Sequence, residues 1–582
     1  MLLAVGLLVA ACAARPGKEA GEWTGHTAAG VPPAGESTAE GAFVTEYLTP
    51  VRIVRVEGAV EGADRLLEPY SGQVSTREES VTRWGREGSV LLDFGKEIQG
   101  GIRLVRTLEG SKKAARFRLC LGESVSEALS RVEEPGTTAT NDHSVRDLDI
   151  SVPWLGSVQV GGSGFRFARL DLVDGDGSPV SLAAVQAVSR YRDLPYLGSF
   201  RCSDERLEKI WQTGAYTVHL CMQDYLWDGI KRDRLVWMGD MHPEIMTLHT
   251  VFGNQEVVRK SLDYVRDVTP PEAWMNGMCS YSLWWIIIQH HLYQWYGDKA
   301  YLQEQQACLR AVLRHVTASL EDDHEAYREG RFLDWPSNDR PDVIHAGLQA
   351  LTVSALEAGS QLAAWLEDRP LEEECRAAAR RLRAHVPSDA GSSQAAALLS
   401  LAGLQDPEAS ARVILQNGPE GCTSFMGYYL LEALSAAGRY AEAMQLVSDY
   451  WGRMLDLGAT TFWEDFNYRD GREAARIDEI VPPGRFDIHA DGGAWCYVGL
   501  RHSLCHGWAS GPTAWLSRHV LGIEPVGVGL RSVRIEPHLG DLDWAEGTFP
   551  TPYGLIRVSH RKDADGRVVS DVRLPRGVKR IR

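Results

Sequence analysis

The sequence predicts a multidomain α and β protein: an (α/α)6 toroid flanked by an N-terminal β-sandwich domain and a C-terminal β-sandwich domain. Three observations predict it. The chain has 582 residues, too many for one hydrophobic core. Its middle, residues 201–522, repeats apolar residues with helical period in about twelve stretches. Its flanks, 44–200 and 523–582, instead show short alternating or compactly apolar runs between Gly-rich and charged turns.

Residues 1–12 form a short apolar run ending in Cys12, too short to span a bilayer as a finished helix. Its form is that of a secretory leader, and Val9-Ala-Ala-Cys12 has the form of a lipobox whose Cys12 is lipidated. Export with a lipid anchor at the cell envelope is expected. Residues 13–43, rich in Ala, Gly, Pro, Ser, Thr and Glu, have tether composition. Strands are expected at 51–56, 89–94, 115–121 and 165–173 in the N-terminal domain. Helices are expected at 204–220, 280–296, 345–366, 370–386, 424–437, 440–455 and 510–520, the first capped by Ser203. No fixed-period sequence repeat supports an α-solenoid, whereas helix pairs joined by loops suit two concentric rings. Strands at 533–537 and 555–559 close the chain.

Composition narrows the function classes. The chain is 44% hydrophobic and 24% charged, as a folded globular protein is. A net charge of −17 without a compact basic run excludes nucleic acid as the expected partner. The ten cysteines form no CxxC pair, so neither a zinc site nor a redox motif is supported. No cofactor and no metal are expected.

The densest chemistry lies in Asp228-Gly-Ile-Lys-Arg-Asp-Arg-Leu-Val-Trp-Met-Gly-Asp240. Asp228, Asp233 and Asp240 lie within thirteen residues, with Arg232, Arg234 and Trp237 between them. Offsets of five and seven share no helical stripe, so a loop leading into a helix is expected, with Pro243 in the first turn. Carboxylates converging there repel one another, which raises at least one pKa and keeps one carboxyl protonated. Such a group donates a proton, while an indole packs on a sugar face. A second segment, Gly458-Ala-Thr-Thr-Phe-Trp-Glu-Asp-Phe466, sets Glu464 beside Trp463, with Asp465 competing as a water-activating base. A third, Phe332-Leu-Asp-Trp-Pro336, offers Asp334 and Trp335 as sugar contacts. A fourth, His502-Ser-Leu-Cys-His506-Gly-Trp508, offers His506 as a hydroxyl partner. His502 and His506 have i,i+4 spacing but no acidic partner motif for a metal.

Together these segments resemble the bacterial α-L-rhamnosidases, glycoside hydrolase family 78, over about residues 45 to 582. Members carry an Asp-Cys-Pro-x-Arg-x-Glu-Arg-Leu-x-Trp-x-Gly-Asp motif, matched by 228–240. They also carry Gly-Ala-Thr-Thr-x-Trp-Glu, matched by 458–464, and a Gly-Asp-Trp-like loop, matched in part by Leu333-Asp-Trp335. The resemblance implies an inverting exo-hydrolase acting on a rhamnose-containing glycan or glycoside, with Asp233 as general acid and Glu464 as general base. Asp228, Arg232, Asp240, Trp335, Trp463 and His506 would line the sugar pocket, joined by the candidates Trp237 and Asp334. The first motif departs from the family. It is one residue shorter, lacks Cys-Pro, and has Asp233 where a Glu is usual. A related deoxy-sugar or uronic acid is therefore an alternative substrate. A carbohydrate-binding surface protein on a decayed fold, or a lyase recruiting Tyr497 and His506, are the readings from other classes.

Overall fold

The computed structural model describes residues 42–74, 81–494 and 497–581. Cys12, the leader and nearly all of the expected tether lie outside the described residues. Ten strands come first: β1 (Phe43–Leu48), β2 (Arg52–Glu57), β3 (Val60–Glu61), β4 (Thr82–Trp84), β5 (Ser89–Arg106), β6 (Ala115–Gly122), β7 (Asp147–Val152), β8 (Ser157–Asp174), β9 (Val180–Arg192) and β10 (Ser199–Cys202). A short helix, α1 (Val125–Leu129), follows β6. β1 starts at Phe43, the last residue assigned to the tether. The first nine strands hydrogen-bond in the order β3-β4-β9-β5-β8-β6-β7, with β1 on β9 and β2 on β5. The long β5 pairs with β2 through its first half and with β9 through its second, while β8 follows it throughout. Trp84, Phe94, Phe117, Phe165 and aliphatic neighbours fill the core.

The helices follow: α2 (Glu205–Cys221), α3 (Met241–Phe252), α4 (Glu256–Val268), α5 (Cys279–Tyr296), α6 (Lys299–Ala318), α7 (Pro341–Trp365), α8 (Arg369–Leu382), α9 (Ser393–Leu401), α10 (Pro407–Asn417), α11 (Gly427–Ala436), α12 (Tyr440–Asp456), the one-turn α13 (Tyr468–Gly471) and α14 (Gly511–Trp515). Six of them, α3, α5, α7, α9, α11 and α14, pack each on the next, and α14 packs back on α3. These are buried nearly all round, α3 along its whole length. Outside them, α4, α6, α8, α10 and α12 bury one stripe each, while α2 is buried on all sides from Thr213 to Cys221. In α8 the buried residues are Leu371, Cys375, Ala378, Ala379 and Leu382, one face at helical spacing. Two concentric rings result, the toroid expected from sequence. Among the described residues no helix is long and apolar enough to cross a membrane.

Local chemistry moves some expected boundaries. Asp204, not Ser203, caps α2, its carboxylate accepting from the Arg206 N–H. α7 begins at Pro341, four residues before its periodic stripe, because proline at the first helical position forfeits no hydrogen bond. β10, read as the end of the N-terminal domain, pairs with β15 (Trp544–Thr551) across the whole toroid sequence. It starts the sheet β10-β15-β16-β17, completed by β16 (Gly554–Lys562) and β17 (Val568–Arg573). A smaller sheet joins β13 (Ile523–Val526), β14 (Ser532–Ile535) and β18 (Lys579–Ile581).

The N-terminal domain grips the toroid through buried polar contacts. Gly164 on β8 donates its N–H to Ile230 O, an approach so close that a Cβ there would lie 2.7 Å from Ile230 Cγ1. Arg166 donates to both oxygens of Asp93 and to Gly458 O. Lys231 sends its ammonium to Glu123 and Glu127 at 3.1 and 3.0 Å and to the carbonyls of Leu500 and His502. Burial still pushes the Glu123 carboxyl up to about 7. Removing one partner of a buried ion cluster leaves the others uncompensated, at a cost of about 3–5 kcal/mol. Lys231→Met is therefore expected to lower the urea midpoint sharply. An unchanged midpoint would show that other contacts hold the domains together.

Candidate active site

The loop between α2 and α3 is shaped by Asp228. Its Oδ1 accepts from Leu235 N and its Oδ2 from Asp233 N, both at 2.9 Å, while its own N–H donates to Leu235 O. This closes residues 228–235 into a compact loop whose next residues lead into α3. Four carboxylates, one guanidinium and one imidazole then meet. Arg232 donates to Glu464 Oε1 at 2.7 Å, and its Nε lies 3.7 Å from Asp233 Oδ1. His506 Nε2 lies 3.3 Å from Asp228, 3.8 Å from Asp240 and 3.7 Å from Glu464. Asp240 also accepts from the Tyr281 hydroxyl at 2.8 Å. Glu464 Oε2 accepts from Ser503 N.

The two carboxyls proposed as an acid/base pair are driven in opposite directions. Burial raises the Asp233 pKa, Arg232 opposes it, and Asp228 and Glu464 raise it further. Burial also pushes Glu464 upward, but Arg232 and His506 outweigh it and hold its pKa below the usual value. Glu464 thus remains a carboxylate while Asp233 retains its proton to higher pH, an environment split that suits a base and an acid. One guanidinium touches both, so their facing oxygens lie no more than about 9 Å apart. That limit fits the ~6.5–9.5 Å that leaves room for an attacking water. Burial pushes Asp240 up to about 8, with Asp228 adding to it and His506 opposing it. Burial alone would lower His506, yet its carboxylate neighbours raise it to about 9, so it is a cation at neutral pH.

Aromatic rings surround this cluster in an unbroken series. Trp237 meets Tyr281 at 6.1 Å between centroids, Tyr281 meets Phe332 at 6.0 Å, and Phe332 meets Trp335 at 5.0 Å. Trp335 meets Tyr497 at 6.2 Å, Tyr497 meets Trp508 at 6.3 Å, and Trp508 meets His506 at 4.6 Å. Trp237 and Trp335 are half-buried, leaving ring surface for a sugar face.

The structure brings Asp228, Arg232, Asp233, Trp237, Asp240, Glu464 and His506 together, and Trp335 joins them through the rings. Two sequence expectations change. Trp463 is only 1% exposed and packs edge-on against Phe466 in the hydrophobic core, so it offers no free face. Asp334 stands apart from the carboxylate cluster. Its Oδ1 caps Trp335 N and its Oδ2 accepts from Thr423 at 2.7 Å, so both oxygens fix the loop that carries Trp335. Asp465, the rival base, faces a cavity of about 450 Å³ lined by Thr423, Phe466 and Tyr468. Burial and Glu464 raise it to about 6.

Sequence reasoning missed Tyr281, Tyr497 and Trp508 as part of the ring, and it missed His143. That imidazole, from the loop between α1 and β7, places Nδ1 3.2 Å from Asp233 Oδ1. Nothing in its local sequence marks it, since it lies 90 residues upstream in another domain. The i,i+4 pair His502 and His506 does not converge. His502 packs edge-on against His489, away from the cluster. Glu123, Glu127 and His489 do lie close enough together to suit a metal ion. The Lys231 ammonium already sits between those two carboxylates and supplies their counter-charge.

Residues 195–398 match the model of the bacterial alpha-L-rhamnosidase six-hairpin glycosidase domain, and 522–581 match the bacterial alpha-L-rhamnosidase C-terminal domain. The first match contains the 228–240 loop and ends before Glu464. An alpha-L-rhamnosidase of Alteromonas sp. (strain LOR) is 24% identical over 91% of this chain and 58% of its own. One of Streptomyces avermitilis is 23% identical over 88% of this chain and 51% of its own. The chain thus spans little more than half the length of these relatives. Among solved structures, the GH78 rhamnosidase of Bacillus sp. GL1 superposes with a TM-score of 0.69 at 22% identity, covering 87% of this chain and 53% of that one. The Klebsiella oxytoca rhamnosidase with rhamnose bound gives 0.62 at 20% identity, covering 82% and 96%. These likenesses show the fold.

The raised His506 pKa has a stability consequence. A cation favoured by folding stabilises fully below the ordinary histidine range, and the gain fades as pH rises through about 9. Urea midpoints are expected to fall between pH 7 and pH 9.5 in the unmodified protein. His506→Ala is expected to start lower and to lose less over that interval. Equal losses in both proteins would remove His506 from the alkaline transition.

Proposed function

We propose that the chain is a bacterial α-L-rhamnosidase, an inverting exo-hydrolase of terminal α-L-rhamnose, a reading supported by its matches to the six-hairpin glycosidase and C-terminal domains. The observation that carries the reading is the pair Asp233 and Glu464, one pKa raised and the other lowered around a shared Arg232. Asp233 gives its proton to the glycosidic oxygen as the bond from the anomeric carbon breaks. Glu464 takes a proton from a water that attacks the same carbon from the opposite face. The products are β-L-rhamnose and the free alcohol of the leaving group, and the two carboxyls end with their protons exchanged. His506, Asp240 and Asp228 face the sugar hydroxyls. Asp240, pushed up to about 8, carries a proton at neutral pH and can donate to a hydroxyl oxygen. The aromatic ring supports the apolar sugar face and its methyl group. The substrate is a rhamnose-containing glycan or glycoside.

Hydrolysis of p-nitrophenyl α-L-rhamnopyranoside tests this. Asp233→Asn and Glu464→Gln are each expected to reduce kcat by about 10²–10⁴. Proton NMR of the first product is expected to show the β anomer. Early appearance of the α anomer would overturn inversion. Sugar binding without turnover on any rhamnoside would favour the carbohydrate-binding reading.

A further inference from the structure

We infer that His324, His345 and His385 form a binding site for one divalent transition-metal ion of the zinc type, where a hairpin meets α7 and the end of α8. The site shares no residue with the carboxylate cluster and does not depend on the hydrolase reading. The hairpin strands β11 (Leu320–Glu321) and β12 (His324–Glu325) follow α6 and carry His324. His345 lies in the second turn of α7, and His385 just past the end of α8. One fully buried side chain ties these segments together. Gln349, a turn after His345, accepts from Glu325 N at 2.9 Å. It donates to the carbonyls of Asp323 at 3.0 Å and Leu382 at 2.9 Å. The backbones that bear the three imidazoles are thus fixed relative to one another.

The ring nitrogens have ligand geometry. His345 Nδ1 lies 2.6 Å from Glu325 Oε1. Arg331 donates to both oxygens of Glu325, each at 2.7 Å, so this carboxylate accepts from the ring as well. The neutral His345 ring then carries its hydrogen on Nδ1 and directs a lone pair from Nε2. A carboxylate behind the imidazole is also what orients a metal-bound histidine and raises its basicity. His385 Nε2 lies 3.2 Å from His345 Nε2. Two nitrogens at that separation, each ~2.0–2.1 Å from one zinc ion, subtend about 100° at the metal, close to tetrahedral.

His324 supplies the third ligand. Three imidazoles on one zinc stand roughly 5–5.5 Å apart between ring centres. Here His345 and His385 are 5.5 Å apart, and His324 is 5.8 Å from His385 and 6.3 Å from His345. The His324 side chain is 39% exposed and held only by a 3.3 Å contact to Asp323, so its ring is free to turn inward. Imidazole nitrogens suit zinc and its neighbours, whereas magnesium and calcium want oxygen. Past the hairpin the chain runs through Arg331 to Phe332 and Trp335, so an ion here ties the loop bearing Trp335 to α7 and α8.

Calorimetric titration of Zn²⁺ into the full chain, freed of metal by a chelator, tests this. One ion per chain is expected to bind and to raise Tm by a few degrees. His345→Asn, which keeps a donor for Glu325, His324→Ala and His385→Ala are each expected to weaken zinc binding at least tenfold. A plain hydrogen bond between His385 and His345 predicts no saturable zinc site. Absence of such a site in the unmodified protein, or unchanged affinity in any one of the three variants, overturns the inference.

A second readout needs no variant. The free cysteines, most of them buried, are the competing ligands. Co²⁺ bound in place of zinc is expected to show the visible ligand-field bands of a tetrahedral nitrogen site without thiolate charge-transfer absorption. Strong thiolate absorption would place the ion on cysteine and overturn the assignment. Zinc binding in a protein that cleaves no rhamnoside supports the site and sinks the hydrolase reading alone.

Discussion

The Lys231 ammonium is the contact on which the site depends. It lies buried between two carboxylates of the β-domain and two backbone carbonyls of the segment that leads to His506. An ammonium has three donors and a strong hydration shell to replace, so it tolerates little displacement once buried. Lys231 is the residue before Arg232 and two before Asp233. Fixing it fixes the backbone from which the shared guanidinium and the acid project. The same charge draws in the carbonyls of Leu500 and His502, and Glu123 accepts from Ser503 Oγ and Leu504 N. Three segments distant in sequence are thereby set against one another before any substrate arrives.

Within that frame, proximity decides which carboxyl is held ionised and which is pushed toward its protonated form. Both are desolvated, and burial pushes both upward. Arg232 is the nearest full cation to each, but it hydrogen-bonds Glu464 at 2.7 Å and only approaches Asp233 at 3.7 Å. Glu464 also has the His506 cation at 3.7 Å and a backbone N–H. Charge-assisted hydrogen bonds outweigh desolvation for one group and fall short for the other. His506 is itself charged because Asp228 and Glu464 lie beside it, so the cation and these two carboxylates sustain one another.

The sequence carried the parts of this arrangement that depend on local pattern. Helical period revealed the two rings, since an inner helix such as α11 reads as apolar nearly throughout and an outer one such as α8 as a stripe. The carboxylates of 228–240 were legible because a loop so rich in charge and apolar bulk has few structural uses. What depends on distant packing was hidden. Trp463 has the composition of a sugar platform, yet its neighbours enclose it. Asp334 looks like a ligand and spends both oxygens on its own loop. β10 reads as an end to the first domain because strand pairing across the whole toroid leaves no local mark. His143 sits among ordinary loop residues, and only the fold brings it to Asp233.

The aspartate at 233, where the motif that this segment resembles has the longer glutamate, fits the same packing logic. Asp228 holds the Asp233 and Leu235 N–H groups with its two oxygens, which draws the loop in around the acid. The carboxyl then ends between His143 and Trp237, each 3.2 Å away. A side chain one methylene longer would overrun both contacts unless the loop withdrew. The reach of the acid is therefore set jointly by the shortened loop, the indole within it and an imidazole from another domain. Length at position 233 is a property of that enclosure, which is why the missing methylene does not by itself argue for a lost activity.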